Sequence, residues 1–401
     1  MMRRRSPWTI LILASVAMPG TTAPIRAQDV QVVRSTNAPV WGSELRLVEE
    51  VRIGTLDGAD EYILGSVDGI TVGRDGAMFV ADGQVPVIRM YDARGRFVRN
   101  VGRKGQGPGE YESLAGIQPL PDGRIAIWDN RNGRITVYTS SGDVAQSHPV
   151  TSGLFADDLF HTDRAGHFYV RAVLGRPVSG AQWNFGWLHL SPAGKLLDTI
   201  PIPAESSEPS FVLAGPSGFD RPFTRRTVTA LSANGELIIG DNRQYSFDVH
   251  RRGAPVLRIE RPFTPIEVRG DERREWEAWA SSFERNARAQ GRSASFPIPD
   301  TKPAYSDLRT DSQGRTWVRR YVTAQSRPGP ERKAGDDRPR RIWKEPPTFD
   351  VFEPQGQFLG TVTLPINSAF HDARDRNLWV TVRGESDEEY VVRYRIDPVT
   401  R

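Results

Sequence analysis

His161 and His371 occupy the same position in two of six turn-aligned segments of the chain, and the other four hold Thr71, Gln118, Ala230 and Arg309 there. One step earlier stand Gly69, Gly116, Leu159, Val228, Asp307 and Ala369. Neutral imidazoles ligate divalent metals well, but a zinc site needs three or four ligands. With Asp307 as a further ligand and Arg309 steadying a developing oxyanion, these residues would support metal-assisted chemistry. A second polar set lies beyond the turns: Asp82, Asp129 and Asp241 share one position in the first, second and fourth segments. Arg319 and Arg320 sit there in the fifth, and Arg171 one residue earlier in the third. Carboxylates facing arginines suit a polar ligand whose anionic group a guanidinium clamps. The bland reading of the Asp set is a carboxylate that accepts backbone N–H groups of the next turn.

Other signatures are absent. The chain has no HExxH, no GxSxG, no P-loop and no GxGxxG opening a helix after a strand. Asp157-Asp158 and Glu388-Glu389 are sequence neighbours. In a strand they would point to opposite faces and make a poor acid/base pair.

The elements that position these residues are short strands joined by tight turns. Ile70 to Asp82, turning at Asp75-Gly76, matches Ile117 to Asp129, turning at Asp122-Gly123. Each copy continues into a second hairpin, through Ala93-Arg94-Gly95 and Ser140-Ser141-Gly142. Weaker copies turn at Ala165-Gly166, Asn234-Gly235 and Gln313-Gly314, with second turns at Ala193-Gly194, Arg252-Gly253 and Gln355-Gly356. A sixth turns near Arg376-Asn377 and lacks a fourth strand. Four antiparallel strands repeated at this period predict an all-β, six-bladed β-propeller. The Leu47–Gly54 segment resembles the fourth strand Phe97 to Gly102, so pairing of the N-terminal strand with the last blade should close the ring and remove open sheet edges. First strands then border a central channel, with His161 and His371 on opposite sides. Trp128, Trp317 and Trp379 fall on second strands and are assigned to packing between blades.

The aliphatic first strand, the DG turn, the VAD-like second strand, the RI-x-VY third strand and the connector Gly105 to Tyr111 resemble NHL-repeat propellers, in particular the bacterial secreted six-bladed group, over residues 45–398. The resemblance implies a fold and little about function, since such rings serve as binding scaffolds and also as lyases, lactonases and hydrolases.

Loop lengths point to a working face. Turns between first and second strands, and between third and fourth, are tight; the insertions 174–185, 204–222, 264–302 and 325–347 all belong to the opposite rim. From Asp271 to Ala289 the chain lacks Pro and Gly and places Trp276, Trp279, Ala280, Phe283 and Ala287 on one stripe, which predicts an inserted amphipathic helix. The stripe reads as a packed cap, with a lid or partner site as the sharper alternative. Residues 327–344, rich in Arg, Pro and Asp, read as a mixed-charge loop.

Arg3-Arg4-Arg5, the apolar run Trp8 to Met18 and Ala27 before Gln28 read as a signal peptide over 1–27, followed by a leader over 28–44. The expectation is a periplasmic or secreted protein with no stable membrane anchor after cleavage. The chain has no cysteine, which excludes disulfides and thiolate sites. Its formal net charge of +4 vanishes with Arg3, Arg4, Arg5 and Arg26, and a neutral mature chain lacks the electrostatic footprint for nucleic acid.

Together these readings predict an extracytoplasmic binding scaffold, not an enzyme and without a cofactor. Its loop-rich face would receive a polar small molecule, glycan or protein segment. The alternative is a metal-dependent lyase or lactonase-type hydrolase with calcium or zinc in the channel near His161 and His371. A third reading, protein interaction through Trp276 and Trp279, requires that stripe to be exposed.

Overall fold

The computed structural model describes residues 29–36, 38–150, 156–175, 184–203, 211–214, 217–252, 254–291, 295–327 and 342–399. The segment 1–27 read as a signal peptide lies outside them, as does most of the 327–344 loop.

The chain folds as a six-bladed β-propeller, each blade a four-stranded antiparallel sheet. Counted from the axis outwards, blade 1 is Val67–Val72, Met78–Asp82, Val87–Tyr91 and Phe97–Val101. Blade 2 is Gly116–Pro119, Ile125–Asp129, Arg134–Tyr138 and Val144–Pro149. Blade 3 is Ala156–Thr162, Phe168–Gly175, Asn184–Leu190 and Leu196–Pro201. Blade 4 is Thr227–Leu231, Leu237–Asp241, Ser246–His250 and Val256–Glu260. Blade 5 is Tyr305–Thr310, Thr316–Arg320, Thr348–Phe352 and Phe358–Thr363. Blade 6 is Ser368–Arg374, Asn377–Arg383, Glu389–Pro398 and, from the other end of the chain, Leu45–Ile53. That last pairing is antiparallel and closes the ring.

Local geometry follows from the turns. Gly76, Gly123, Gly166, Gly235 and Gly314 hold φ between +73 and +91, a conformation that costs a residue without Cβ little. The core is spread between blades, because alternate residues of each strand face opposite neighbours. Phe79 and Ala81 pack towards blade 2, while Met78 and Val80 pack towards blade 6. Trp128, Trp317 and Trp379 are each buried in such a cluster. Among the described residues the cluster between blades 3 and 4 is the smallest, with Tyr169, Trp187 and Leu231 as its buried members. The first strands of blades 2 and 3 approach closely at Gly116, where a Cβ would come within 2.6 Å of the Phe160 Cβ.

The segment read as a leader is part of the ring's outer wall. Val30–Arg34 runs parallel to Val256–Glu260 and gives blade 4 a fifth strand. Further on, Trp41 N–H donates to the Leu359 carbonyl of blade 5 at 2.7 Å. Its indole enters the core between blades 5 and 6, 6.5 Å from that of Trp317. The N-terminal segment therefore straps blades 4, 5 and 6 in turn.

An α-helix, α1, spans Gly270–Ala289 in the connection from blade 4 to blade 5. Among the described residues no helix is long and apolar enough to cross a membrane.

Candidate functional site

α1 is laid over the loop-rich face by its apolar stripe. Ala280 and Ala287 are buried, and Trp276, Trp279 and Phe283 are half-buried against Phe223, Val268, Phe296, Ile298 and Tyr321. The stripe is a cap more than a free surface. A wholly buried ammonium fixes it: Lys302 Nζ donates to Glu272 of α1 at 2.7 Å, to Glu345 of the blade 5 insertion at 2.8 Å and to the Val322 carbonyl at 2.9 Å. Burial pushes the Glu345 carboxyl above its ordinary range in spite of that ammonium. Glu275 of α1 in turn accepts the Ile342 and Trp343 N–H groups, so the stem of the insertion, Gln325–Ser326 paired with Trp343–Lys344, is tied to the helix.

Between this cap and the ends of blades 4, 5 and 6 lies a cleft of about 650 Å³, within the range of small-molecule sites. One wall is aromatic, with Phe223, Trp276, Tyr321 and Trp343. Phe223 holds φ at 55, a region that bulky side chains rarely adopt. Its ring is trapped edge-on by Trp276 at 5.8 Å and Tyr321 at 5.5 Å, with the Lys302 ammonium 5.0 Å from its centre. Strain held this firmly by its surroundings clusters at ligand sites.

The other wall is polar. Arg226 donates to the Ser306 carbonyl at 3.2 Å, and Lys344 to Asn367 at 2.8 Å. Arg320 lies 3.6 Å from buried Asp350, whose oxygens already accept Tyr245 at 2.8 Å and Thr361 at 2.6 Å. Arg319 is half-buried in the cleft wall, and among the described residues its guanidinium has no hydrogen bond or ion pair.

The structure assigns the Asp set other tasks. Asp82 accepts the Gly65 N–H at 3.0 Å, the Ser66 N–H at 3.1 Å and the Arg89 guanidinium at 2.7 Å. Burial raises its carboxyl, but these donors outweigh it and hold the group below its ordinary range. Asp129 likewise accepts the Glu112 and Ser113 N–H groups and the Asn132 amide. Both carboxylates staple a blade connector to the following turn, which leaves few lone pairs for a ligand. In blade 4 that work passes to Asn242, which accepts the Arg226 N–H and donates to the Thr224 and Tyr305 carbonyls. Asp241 forks onto Arg243 instead. Arg171, on blade 3, stacks on Phe185 at 5.0 Å, away from the cleft lining.

The two histidines lie at the other end of the channel, in a cavity of about 560 Å³ bounded by the tight turns. Each has a partner of its own: His161 Nε2 is 3.0 Å from the Ser232 carbonyl, and His371 Nε2 is 3.2 Å from Thr381 Oγ1. Burial lowers both, His371 to about 3 with help from the Arg309 charge. Asp307 and Arg309 bind one another at 2.7 Å, and Asp307 borders the upper cleft rather than the histidine cavity. The four residues therefore do not converge on one metal-sized point.

Residues 28–206 match a family described as 6-bladed beta-propeller. No curated protein matches the sequence. Among solved structures the chain is similar to a member of the DUF4221 family from Bacteroides vulgatus, at 11% identity and a TM-score of 0.50, over 89% of this chain and 99% of that one. It is also similar to a Bacteroides caccae protein of unknown function, at 12% identity and a TM-score of 0.37, over 74% and 81% of the two chains. A catalytically inactive virginiamycin B lyase from Staphylococcus aureus shares 12% identity over 89% of this chain and 100% of its own, with a TM-score of 0.41. At 11% identity the first likeness shows the fold alone.

Sequence reasoning missed Lys302, Glu272, Glu345 and Phe223. A lone Lys at the end of an insertion, in a chain whose other 52 basic residues include only four Lys, was the available signal for the first.

Proposed function

We propose that this chain is an extracytoplasmic binding scaffold, NHL-like in its repeat, whose capped cleft takes up a polar ligand bearing an anionic group. The observation that carries the reading is Arg319. It is a half-buried guanidinium in a cleft wall, without a partner among the described residues and opposite an aromatic surface. A planar fork of donors matches a carboxylate or phosphate in two parallel bonds, and Arg320 beside it supplies a second charge. Phe223, Trp276 and Tyr321 provide a flat apolar face for the body of the ligand, as sugar rings and small carboxylic acids require. The N-terminal Arg3-Arg4-Arg5 and the apolar run Trp8 to Met18 support the extracytoplasmic setting.

The test is thermal unfolding of residues 28–401 against uronic acids, small dicarboxylates and sugar phosphates. A ligand at a hundred times its Kd stabilises by about 2.7 kcal/mol. The reading requires at least one anionic compound to raise Tm in the wild type and to raise it less in Arg319→Ala.

A further inference from the structure

Blade 3 carries a second constellation on the opposite face. Among the described residues, Asp163, His167 and His189 each offer one ligating atom, and those atoms lie within 4.8 Å of one another. Asp163 sits in the turn after the first strand, His167 leads into the second strand and His189 lies on the third.

The turn alone explains part of this. In blade 5 the equivalent Asp311 accepts the N–H groups of Gln313 and Arg315 on one oxygen, and the Arg315 and Trp317 side chains on the other. Asp163 repeats the pattern with Ala165 and His167 N–H, His167 Nδ1 at 3.0 Å and Tyr169 OH at 2.9 Å. His189 is what the turn does not explain. It is cross-strand partner to Tyr169, a position that blade 5 fills with Val351 opposite Trp317. An imidazole only 3% exposed has replaced an apolar residue, and among the described residues its Nε2 meets no hydrogen-bonding partner.

The ring is also held in one orientation. Tyr169 stacks on it at 4.7 Å with planes 3° apart, and its Nδ1 lies 2.8 Å from Asp198, itself 3.3 Å from Arg252 of blade 4. A carboxylate on Nδ1 fixes the proton there and leaves Nε2 with its lone pair as the ligating atom, the arrangement by which proteins orient metal-binding histidines. The His167 ring meets that of His189 edge-on at 4.9 Å, and its side chain is 28% exposed, which gives an ion a way in from solvent.

We infer that Asp163, His167 and His189 form a binding site for a zinc-class divalent transition metal, with solvent as the fourth ligand. Two imidazoles and one carboxylate are a zinc-type donor set, poor in oxygen for calcium or magnesium. Tetrahedral coordination at ordinary zinc bond lengths places donors about 3.4 Å apart, so the most widely spaced pair must close by up to about 1.4 Å. The ion would tie the turn of blade 3 to its third strand beside the smallest apolar interface of the ring. The site is remote from the Arg319 cleft and independent of its function.

Chelator-treated protein, residues 28–401, is titrated with ZnCl2 by calorimetry and with CoCl2 by visible absorption. The expected result is one ion per chain, a tetrahedral-type cobalt spectrum, and loss of both in His189→Ala and in half-exposed His167→Ala. Asp198→Asn, which only orients His189, should weaken zinc roughly 10- to 100-fold, while His371→Gln should bind as the wild type does. Absence of zinc and cobalt binding in the wild type overturns the site. So does unchanged affinity in folded His167→Ala, with folding checked by circular dichroism.

Discussion

Asp307 and Arg319 are directly paired residues of adjacent blade 5 strands, yet they form no ion pair. The Asp307 carboxylate is taken by Arg309 at 2.7 Å, two residues along its own strand. Arg309 is held in turn by the Phe370 carbonyl of blade 6 at 2.8 Å. The natural counter-ion of Arg319 is thereby engaged elsewhere, and its guanidinium stays available to the cleft.

This arrangement makes an indirect prediction. Arg309→Ala frees Asp307 to turn to Arg319 and should weaken anionic ligands about tenfold, or ~1.4 kcal/mol, although Arg319 itself is intact. Calorimetric titration of a ligand found by the thermal screen reads the change, and unchanged affinity would mean that Arg319 is not the anchor.

Lys302 carries the cap. Lys302→Met leaves Glu272 and Glu345 facing one another without their shared cation, and breaking a buried pair costs about 3–5 kcal/mol. Urea unfolding should show that loss, together with a fall in the protection of Trp276 from hydrogen exchange. Adding Glu345→Gln should restore part of the stability, since burial already favours the neutral form of that carboxyl.

The N-terminal strap makes a prediction about association as well as stability. Trp41→Ala should cost about 3–5 kcal/mol, as for other large aromatics removed from a core. Removing residues 28–36 uncovers the outer strand Val256–Glu260 and should produce concentration-dependent dimers in size-exclusion chromatography.

Neighbouring residues of blade 6 titrate with opposite signs. His371 falls to about 3 through burial and the Arg309 charge, so between pH 3 and its ordinary 6.5 the unfolded chain binds the extra proton. Its contribution to stability is present above 6.5 and is lost as the pH falls through that window. Asp372 rises to about 6 through burial and the Asp311 carboxylate, and there the folded chain holds the extra proton. Its contribution is present near pH 4 and declines as the pH rises to 6. His371→Gln should flatten the acid-side loss, each group being worth up to ~1.4 kcal/mol per pH unit in its window. Asp372→Asn should stabilise the protein above pH 6 by on the order of 1 kcal/mol, because among the described residues Oδ2 has no donor. Chemical unfolding at pH 4, 5, 6 and 7.5 separates the two.

The repeat was legible because it is written locally. Glycines at fixed offsets, such as Gly76 and Gly123, set turns that their own φ angles demand, and the near-continuous apolar run of Met78–Asp82 reports a strand buried on both faces. α1 was legible from its stripe in the same way. The Val30–Arg34 strand was not, because it pairs through backbone and leaves its side chains largely in solvent, where no pattern of burial selects them. The position of Asp82 and Asp129 was visible, but their role depends on connector N–H groups 16 and 17 residues away. Lys302, Glu272 and Glu345 meet across 30 and 43 residues. No periodicity links residues that two insertions bring together.

The central claim is tested most directly by differential scanning fluorimetry of wild type, Arg319→Ala and Arg319→Ala/Arg320→Ala against uronic acids, dicarboxylates and sugar phosphates. The account predicts that at least one anionic compound raises the wild-type Tm. The shift should fall in the single variant and vanish in the double, with the ligand-free Tm of wild type and Arg319→Ala alike and that of the double variant lowered by the loss of Arg320 from buried Asp350. It is contradicted if no anionic compound shifts the wild type, or if the double variant keeps the full shift.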